Sequence, residues 1–377
     1  MKYIDEFRRR DLALKLAGAI AAEVEPSRRY NLMEFCGGHT HAIFRYGVQD
    51  LMPGNVRFVH GPGCPVCVLP IARIDNAIEL VERQGVILCT YADMLRVPAS
   101  GRRSLMKARA GGGDVRMVYS TQDALRIARD NPGRQVVFFA IGFETTTPPT
   151  AVAIQQAQAE GLTNFSVFCN HVLTPPAIRA ILETPREPDR GALAIDGILG
   201  PSHVSTVIGS RPYEPFAEAF GIPIVIAGFE PLDVMQSVRL LIRQLNQGRH
   251  AVENEYTRAV TRDGNPKAQA LVAEVLELRE TFEWRGLGWL PNSALRIKDS
   301  FADFDTERRF ELTPSPEQDV KGCECPAILR GAKRPTDCKL FGKACTPENP
   351  MGACMVSSEG SCAAYWTYGR FRGESAA

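Results

Sequence analysis

The chain has 377 residues, of which 44 are Lys or Arg and 43 are Asp or Glu, so its formal net charge is only +1. This balance provides neither the basic field that attracts nucleic acids nor the cationic face of a membrane-binding protein. A hydrophobic content of 45% and a charged content of 23% are typical of a folded globular protein and exclude a disordered or coiled-coil chain. The unusual feature is a count of 11 cysteines.

The amino-terminal segment predicts an amphipathic helix rather than a signal peptide. Its apolar residues after Arg10 are interrupted by Asp11, Lys15 and Glu23. No stretch approaches the roughly 20 uninterrupted apolar residues that a membrane span requires. We therefore expect a cytoplasmic protein, in which clustered cysteines indicate metal or redox chemistry more often than structural disulfides.

Short β-branched runs alternate with helical segments in the first two thirds of the chain. This alternation predicts an α/β fold with parallel sheets that are covered on both faces. We expect two small α/β domains, at 1–113 and 114–235, and a third, mainly helical and irregular, cysteine-rich domain at 236–377. The predicted strands are Val56–His60, Val86–Thr90, Val115–Tyr119, Val136–Ile141, Phe165–Cys169 and Ile222–Ala227. The predicted helices are Ile71–Arg83, Thr121–Arg129, Pro149–Glu160, Pro176–Glu183, Leu232–Gln247 and Ala268–Glu280.

Reactive side chains follow several of the predicted strands. Ligands of open parallel sheets bind at the carboxyl ends of the strands, so we expect the functional site there. For Thr121 and Asp123, capping of the following helix is the better interpretation. Capping does not explain Cys64, Cys67 or His171.

The sequence CGGHTH, from Cys36 to His41, is the first candidate site. Thiolate and imidazole are common ligands of iron, copper and zinc, and the two glycines let the backbone approach a ligand closely. His39 and His41 would face the same way only in an extended segment. A nucleophilic cysteine with a histidine base and an inert buried thiol in a glycine turn are the alternatives.

The sequence GPGCPVC contains the second candidate, the pair Cys64 and Cys67. A CxxC pair is typical of a redox dithiol or of half a metal site. No second CxxC is present in the sequence to complete a zinc knuckle, which favours the redox interpretation. The positive end of the predicted helix at Ile71–Arg83 would favour the thiolate form. Two inert buried thiols are the alternative.

Six cysteines near the carboxyl terminus form the third candidate site. Four thiolates suit either a [4Fe–4S] cluster or a structural zinc ion, and the spacing alone does not choose between them. The six are Cys323, Cys325, Cys338, Cys345, Cys354 and Cys362.

Two carboxylates and two histidines lie outside these motifs. Glu144 and Glu230 each end a Gly-Phe-Glu sequence after a predicted strand, where they could act in acid–base chemistry or positioning. A carboxylate at a helix amino terminus is an equally good interpretation. His171 and His203 are lone histidines, which are more often structural residues than ligands.

Taken together, these motifs resemble the HypD family of hydrogenase maturation proteins. The resemblance covers nearly the whole chain and is carried by CGGHTH, GPGCPVC, IGFETTTP, GPSHVS, AGFEPLD and CTPENPMGACMVSSEGSC. It implies two α/β domains and a third domain with a [4Fe–4S] cluster. It also implies a scaffold on which the Fe(CN)₂CO unit of [NiFe] hydrogenase is built, together with the chaperone HypC. Cyanide ligands would come from HypE, which HypF supplies.

The resemblance also implies roles for individual residues. Cys36 would be an iron ligand shared with a cysteine of HypC, and His39 would be its near neighbour. Cys64 and Cys67 would be a redox dithiol. From the chemistry of the three thiol sites we further expect this pair to exchange electrons with the cluster and to supply them to the iron at Cys36. The spacing C-x14-C-x6-C-x16-C of the family fits Cys323, Cys338, Cys345 and Cys362 as cluster ligands.

Several points stay open in this interpretation. Cys325 and Cys354 are left over, and the choice between Cys323 and Cys325 as a ligand is not decided. Cys89 and Cys169 are interpreted as residues of the strands. A free-standing thiol–disulfide oxidoreductase fed by ferredoxin and a zinc-stapled binding module are the alternative functions.

Overall fold

The computed structural model describes residues 4–184, 195–313 and 320–369. Within them the chain forms two parallel sheets and two small antiparallel sheets of two strands each. The strands are β1 (Tyr30–Glu34), β2 (Val56–His60), β3 (Ile87–Thr90), β4 (Val115–Met117), β5 (Val136–Gly142), β6 (Phe165–His171), β7 (Gly197–Gly200), β8 (Ile224–Ile226), β9 (Val252–Asn254), β10 (Leu276–Leu278), β11 (Thr281–Trp284), β12 (Gly288–Pro291) and β13 (Leu295–Ile297).

Helices follow most of the parallel strands. The helices of the described residues are α1 (Arg10–Glu23), α2 (Gly37–Tyr46), α3 (Pro65–Val68), α4 (Ile71–Glu82), α5 (Leu105–Ala110), α6 (Thr121–Asp130), α7 (Thr147–Ala159), α8 (Thr174–Glu183), α9 (Ser202–Ile208), α10 (Glu214–Phe220), α11 (Pro231–Asn246), α12 (Pro266–Val275), α13 (Thr306–Arg309), α14 (Cys325–Leu329) and α15 (Ser361–Ala364). None of the helices described is long and apolar enough to cross a membrane.

The first sheet has the strand order β2-β1-β7-β8-β9, and all of its pairings are parallel. Leu32 and Val225 pack on one face against Val238 and Leu241 of α11. Met33 points to the other face, because successive strand residues alternate between the two sides. Helices therefore cover both faces of this sheet.

The second sheet has the strand order β4-β3-β5-β6 and is also parallel throughout. Every residue of β5 and β6 is buried. Val137 and Phe139 enter one hydrophobic core, whereas Val136 and Phe138 enter another on the opposite face. The predicted α/β architecture with parallel sheets is confirmed.

The sheets do not follow the predicted division of the chain. Leu88 of β3 pairs with Val115 of β4 across the boundary predicted at residue 113. The chain leaves the first sheet after β2, builds the second sheet, and returns to the first sheet with β7. The boundary predicted at residue 235 falls inside α11, which packs on the first sheet, and β9 then pairs with β8. Divisions at 113 and 235 therefore do not separate the sheets.

One predicted helix ends earlier than expected. Helical periodicity predicts Ala268–Glu280, but α12 ends at Val275 and the chain continues as β10. The reason is tertiary, since Leu276 and Leu278 pair with β13 in antiparallel register. Such a pairing leaves no signal in the local sequence pattern.

The cysteine-rich region from residue 320 onward packs into the core of the second sheet. Its side chains Ile328, Leu329 and Met355 share one hydrophobic core with Phe143 and Trp284. The loop that carries Cys64 and Cys67 enters the same core. The second and third candidate sites are therefore neighbours in the fold.

Candidate functional site

A cavity of about 330 Å³ lies where the loops at the carboxyl ends of both parallel sheets meet the cysteine-rich region. Its walls include loop residues that follow β1, β2, β3, β5 and β7, together with Ser357, Ser358 and Glu359. Open parallel sheets bind ligands at this end of their strands. Cys36 and His203 are the sequence-predicted site residues in its lining.

Cys36 occupies the turn between the end of β1 and the start of α2, and it is 7% exposed. Burial raises the pKa of its thiol to about 12, and the nearby carboxyl of Glu359 adds to this effect. The backbone N–H groups of Gly38 and His203 hydrogen bond to the sulfur and oppose it. The free thiol is therefore protonated at neutral pH, while a bound metal cation would hold it as a thiolate.

The two glycines after Cys36 are required by close packing. A Cβ atom on Gly37 would overlap the side chain of Glu359, and one on Gly38 would overlap the ring of Phe229. The close approach predicted for these glycines is therefore made by side chains of this chain, which pack against the first turn of α2.

His39 and His41 do not form a ligand pair in this structure. Both lie in α2 rather than in an extended segment, so their side chains diverge. His39 is fully buried, with Nε2 at 2.8 Å from Ser202 Oγ and 3.1 Å from the carbonyl oxygen of Ala227. Burial lowers the pKa of His39 to about 4, so the ring is neutral. His41 instead stacks edge-on against Tyr368, with 5.1 Å between ring centroids.

His203 lines the cavity beside Phe229, with 4.0 Å between the ring centroids. Burial lowers the pKa of this histidine. Phe229 also stacks on His39 at 5.4 Å, so one aromatic ring separates the two histidines. Both imidazoles are held neutral next to the Cys36 loop.

Cys64 and Cys67 form a disulfide, with 5.2 Å between their Cα atoms. Both lie at α3, a single helical turn that precedes α4. The sequence predicted that the positive end of this second helix would lie near the two sulfurs. The backbone N–H of Cys67 hydrogen bonds to Cys64 Sγ at 3.3 Å. Cys67 Sγ lies 3.9 Å from the carbonyl oxygen of Ala353, so this pair touches the cysteine-rich region.

The six carboxyl-terminal cysteines converge on one another. Cys325 makes thiol hydrogen bonds with Cys323, Cys354 and Cys362. Cys362 also interacts electrostatically with Cys338. A Cβ atom on Gly352 would lie 2.5 Å from the sulfurs of both Cys323 and Cys325, so this glycine leaves room for the thiols.

These thiols fit an iron–sulfur cluster in their chemistry. A [4Fe–4S] cluster takes one thiolate on each of four irons, and N–H groups commonly bond to the ligand sulfurs. Cys345 Sγ accepts such a bond from the backbone of Met351 at 3.3 Å. Within residues 4–184, 195–313 and 320–369, no group of three or more His, Cys, Asp or Glu side chains has the geometry of a formed metal site. The fit therefore rests on the chemistry of the thiols and on the room that Gly352 leaves for them.

Comparison with known proteins identifies the family of this chain. The model of the HypD family, described as the hydrogenase formation hypA family, matches residues 11–369. The chain is 67% identical over 372 residues to the hydrogenase maturation factor HypD of Azotobacter vinelandii, covering 99% of this chain and 98% of that protein. The chain belongs to the HypD family. The corresponding factor of Cupriavidus necator is 64% identical with the same coverage, and that of Escherichia coli K12 is 44% identical over 373 residues, with 98% of both chains covered.

Glu144 and Glu230 both follow Gly-Phe in this HypD-family chain, but their burial and their hydrogen-bond partners differ. Glu144 is buried behind the cavity and accepts hydrogen bonds from the backbone N–H of Thr174 at 2.9 Å and from its hydroxyl at 3.0 Å. Burial raises the pKa of Glu144 to about 7. Glu230 is the N-cap residue of α11 and pairs with Arg8, as a helix-terminal carboxylate does.

The remaining predicted residues lie in the interior of the fold. His171 is buried, with Nε2 at 2.9 Å from Thr150 Oγ1, and burial lowers its pKa to about 4. Cys89 and Cys169 are fully buried in β3 and β6. Burial raises the pKa of their thiols to about 12 and about 11.

Sequence reasoning missed Glu34 and Glu359. Glu34 is fully buried at the end of β1, directly before the Cys36 loop, and Glu359 lines the cavity. The available signal for Glu34 was a single carboxylate at the end of the apolar run YNLMEF. No sequence signal places Glu359 next to Cys36, because 322 residues separate them.

Proposed function

We propose that this member of the HypD family of hydrogenase maturation factors is the scaffold on which the Fe(CN)₂CO unit of [NiFe] hydrogenase is assembled, with Cys36 as the thiolate that holds the iron. One observation carries the proposal. The Cys36 sulfur lies at the wall of a cavity and accepts two backbone N–H bonds, and the neighbouring loop carries the Cys64–Cys67 disulfide.

The residues around Cys36 suit an anionic iron complex. A soft thiolate is the preferred protein ligand for low-spin iron that carries cyanide and CO. The N–H groups of Gly38 and His203 favour the thiolate over the thiol. Phe35, Val66 and Phe143 make much of the cavity wall apolar, which limits water at the iron.

Cys64 and Cys67 would act as the two-electron store of the site. Oxidation of the dithiol to the observed disulfide releases two electrons and two protons. The loops that hold the pair and Cys36 are joined, because the N–H of Gly37 hydrogen bonds to the carbonyl of Gly63 at 3.0 Å. Electrons released at the pair therefore have a short path to iron at Cys36.

The resident cofactor would be a [4Fe–4S] cluster held by Cys323, Cys338, Cys345 and Cys362, and it would supply single electrons to neighbouring thiols. Cys325 and Cys354 contact each other, and Cys325 is the alternative to Cys323 as a ligand. Cys354 follows Ala353, which touches Cys67. The segment of Cys354 would therefore bring the cluster region into contact with the dithiol.

The partners we propose are HypC, which would share the iron through its own cysteine, and HypE, which would deliver cyanide prepared with HypF. The near-neutral charge of the chain fits protein partners better than nucleic acid. The protein would turn over only as part of this complex, in the cytoplasm.

Anaerobic co-purification with HypC tests the scaffold function. We expect iron in excess of the roughly four atoms of a cluster, together with infrared bands of cyanide and CO. Cluster absorbance with four irons and no such bands would contradict the proposal.

A free-standing thiol–disulfide oxidoreductase is the second candidate. It is favoured by the contact between the Cys64–Cys67 disulfide and the cysteine-rich region. Such an enzyme needs the cluster irons alone, and it would reduce disulfides of other proteins without HypC. A colourless preparation that contains zinc and no iron would instead indicate a zinc-stapled binding module.

A further inference from the structure

The carboxylate of Glu34 connects the two loops that carry Cys36 and the Cys64–Cys67 pair. Its Oε2 atom accepts the backbone N–H of Cys36 at 3.1 Å. Its Oε1 atom lies 2.8 Å from Nδ1 of His60 and also accepts the hydroxyl of Thr40. The Glu34 side chain is fully buried, whereas that of His60 is 13% exposed.

The sheet sets up this arrangement. Glu34 and His60 are the last residues of β1 and β2 and lie opposite each other in parallel register. Beyond them the strands no longer pair, so the N–H of Cys36 needs another acceptor. Glu34 provides it, and the carbonyl of Glu34 accepts the N–H of Gly61 at 2.9 Å. Both thiol-bearing loops are therefore hydrogen bonded to Glu34 at the point where they leave the sheet.

The packing of the loops leaves little freedom once the carboxylate is in place. A Cβ atom on Gly63 would lie 2.6 Å from the backbone nitrogen of Cys36. The ring of Phe44 stacks on His60, with 5.1 Å between the centroids, and fixes the imidazole against α2. A buried carboxylate is costly unless it is fully hydrogen bonded, and an apolar residue of similar size would often serve stability as well. Stability alone therefore does not account for Glu34.

We propose that Glu34 is a positioning residue that fixes the Cys36 loop and, through His60, ties it to the loop of Cys64 and Cys67, so that the three thiols keep one relative geometry. The inference deepens the proposed function, because the geometry matters for passing electrons from the dithiol to iron at Cys36. The hydrogen bonds of Glu34 are present before iron binds at Cys36, so their effect can be measured in that state.

The test measures how fast iodoacetamide alkylates Cys36 in the reduced full-length protein, purified anaerobically with its cluster and without HypC, and the modified peptide is quantified by mass spectrometry. Cys36 is buried, so alkylation reports opening of its loop. Leaving the buried N–H of Cys36 without its acceptor shifts such an opening roughly ten- to hundredfold. We expect an increase of this size in Glu34→Leu, and rescue to within about threefold of the wild-type rate in Glu34→Gln, whose amide can accept the Cys36 N–H.

His60→Phe keeps the stacking on Phe44 and removes the bond to Glu34, so it should also accelerate alkylation of Cys36. The double variant of Glu34→Leu and His60→Phe should be no faster than the faster single variant, because both break the same connection. Glu23→Gln is the control, since it removes a carboxylate held by Arg239 and Arg243 on α11. It should leave the alkylation rate unchanged. Unfolding in urea shows that each variant is folded at the temperature used.

Alkylation of Cys36 within twofold of the wild-type rate in both Glu34→Leu and His60→Phe would overturn the inference. So would an equal acceleration in Glu23→Gln. In the HypC complex, Glu34→Leu should split or broaden the CO band. If the wild-type complex shows no such band, the proposed function fails, while the alkylation result still decides the role of Glu34.

Discussion

The Sγ atom of Cys67 lies 3.9 Å from the carbonyl oxygen of Ala353, the residue before Cys354. This contact joins a loop of the first sheet to the cysteine-rich region across 286 residues of sequence. Cys354 in turn contacts Cys325 among the carboxyl-terminal thiols. The dithiol loop therefore contacts the segment that carries the carboxyl-terminal thiols, and the Cys36 loop is hydrogen bonded to the dithiol loop.

Gly352→Ala should disrupt the carboxyl-terminal thiols without changing the rest of the fold. The added methyl group would lie 2.5 Å from the sulfurs of Cys323 and Cys325, closer than van der Waals contact allows. We expect loss of most of the cluster iron and sulfide, measured by elemental analysis and visible absorbance. Gly133→Ala is the matched control, because no atom lies within 4 Å of its added methyl group. Full cluster content in Gly352→Ala would contradict the prediction.

Glu307 should stabilise the fold above pH 4.5 and lose this effect in acid. Burial alone would raise its pKa, but Arg73 and Arg279 outweigh burial and lower the pKa to about 2. A carboxylate whose pKa is lowered by folding stabilises the folded state above its unfolded pKa. We therefore expect the free energy of unfolding to fall by an amount on the order of 3 kcal/mol between pH 4.5 and pH 2 from this group.

Urea unfolding of the wild type and Glu307→Gln at pH 7 and pH 3 checks this prediction. The difference in free energy between the two proteins should be largest at pH 7 and shrink at pH 3. Glu218→Gln, which changes an exposed carboxylate, is the control. A difference that stays constant across this range would show that Glu307 does not carry the acid dependence.

Much of the fold was predictable from local patterns. The continuous apolar run of β5 predicts a strand buried on both faces, and the structure confirms it. The division of the chain was not predictable in this way, because β1 pairs with β7 across more than 160 residues. Periodicity describes individual elements, whereas the order of strands in a sheet depends on contacts distant in sequence.

The residues of the candidate site were also predictable only where a local motif marks them. Cys36, Cys64 and Cys67 were identifiable because thiols next to glycine and proline in short motifs have few structural explanations. The two carboxylates next to Cys36 could not be identified in this way, because Glu34 is an isolated carboxylate in the sequence and Glu359 comes from the other end of the chain. His39 and His41 were expected as a pair only if extended, and the helix α2 separates them.

Glu144 should produce the opposite pH dependence to Glu307. Burial raises its pKa to about 7, so between pH 4.5 and pH 7 the folded state holds a proton that the unfolded state has released. The free energy of unfolding should therefore decrease as the pH rises through this range, by an amount on the order of 3 kcal/mol. Glu144→Gln can keep both hydrogen bonds to Thr174 and should remove this slope.

Thermal and urea unfolding of Glu144→Gln at pH 4.5 and pH 8 tests this expectation. The variant and the wild type should be similar at pH 4.5, and the variant should be the more stable protein at pH 8. If the free energy of unfolding of Glu144→Gln falls with pH as steeply as that of the wild type, another group is responsible for the pH dependence.

Infrared spectroscopy of the complex co-purified anaerobically with HypC tests the assignment of Cys36 most directly. The wild type should show cyanide and CO bands together with the visible absorbance of a [4Fe–4S] cluster. Cys36→Ala should lose the bands and keep the cluster absorbance, whereas the control Cys362→Ala should lose the cluster absorbance. Cyanide and CO bands of wild-type intensity in Cys36→Ala would contradict the account.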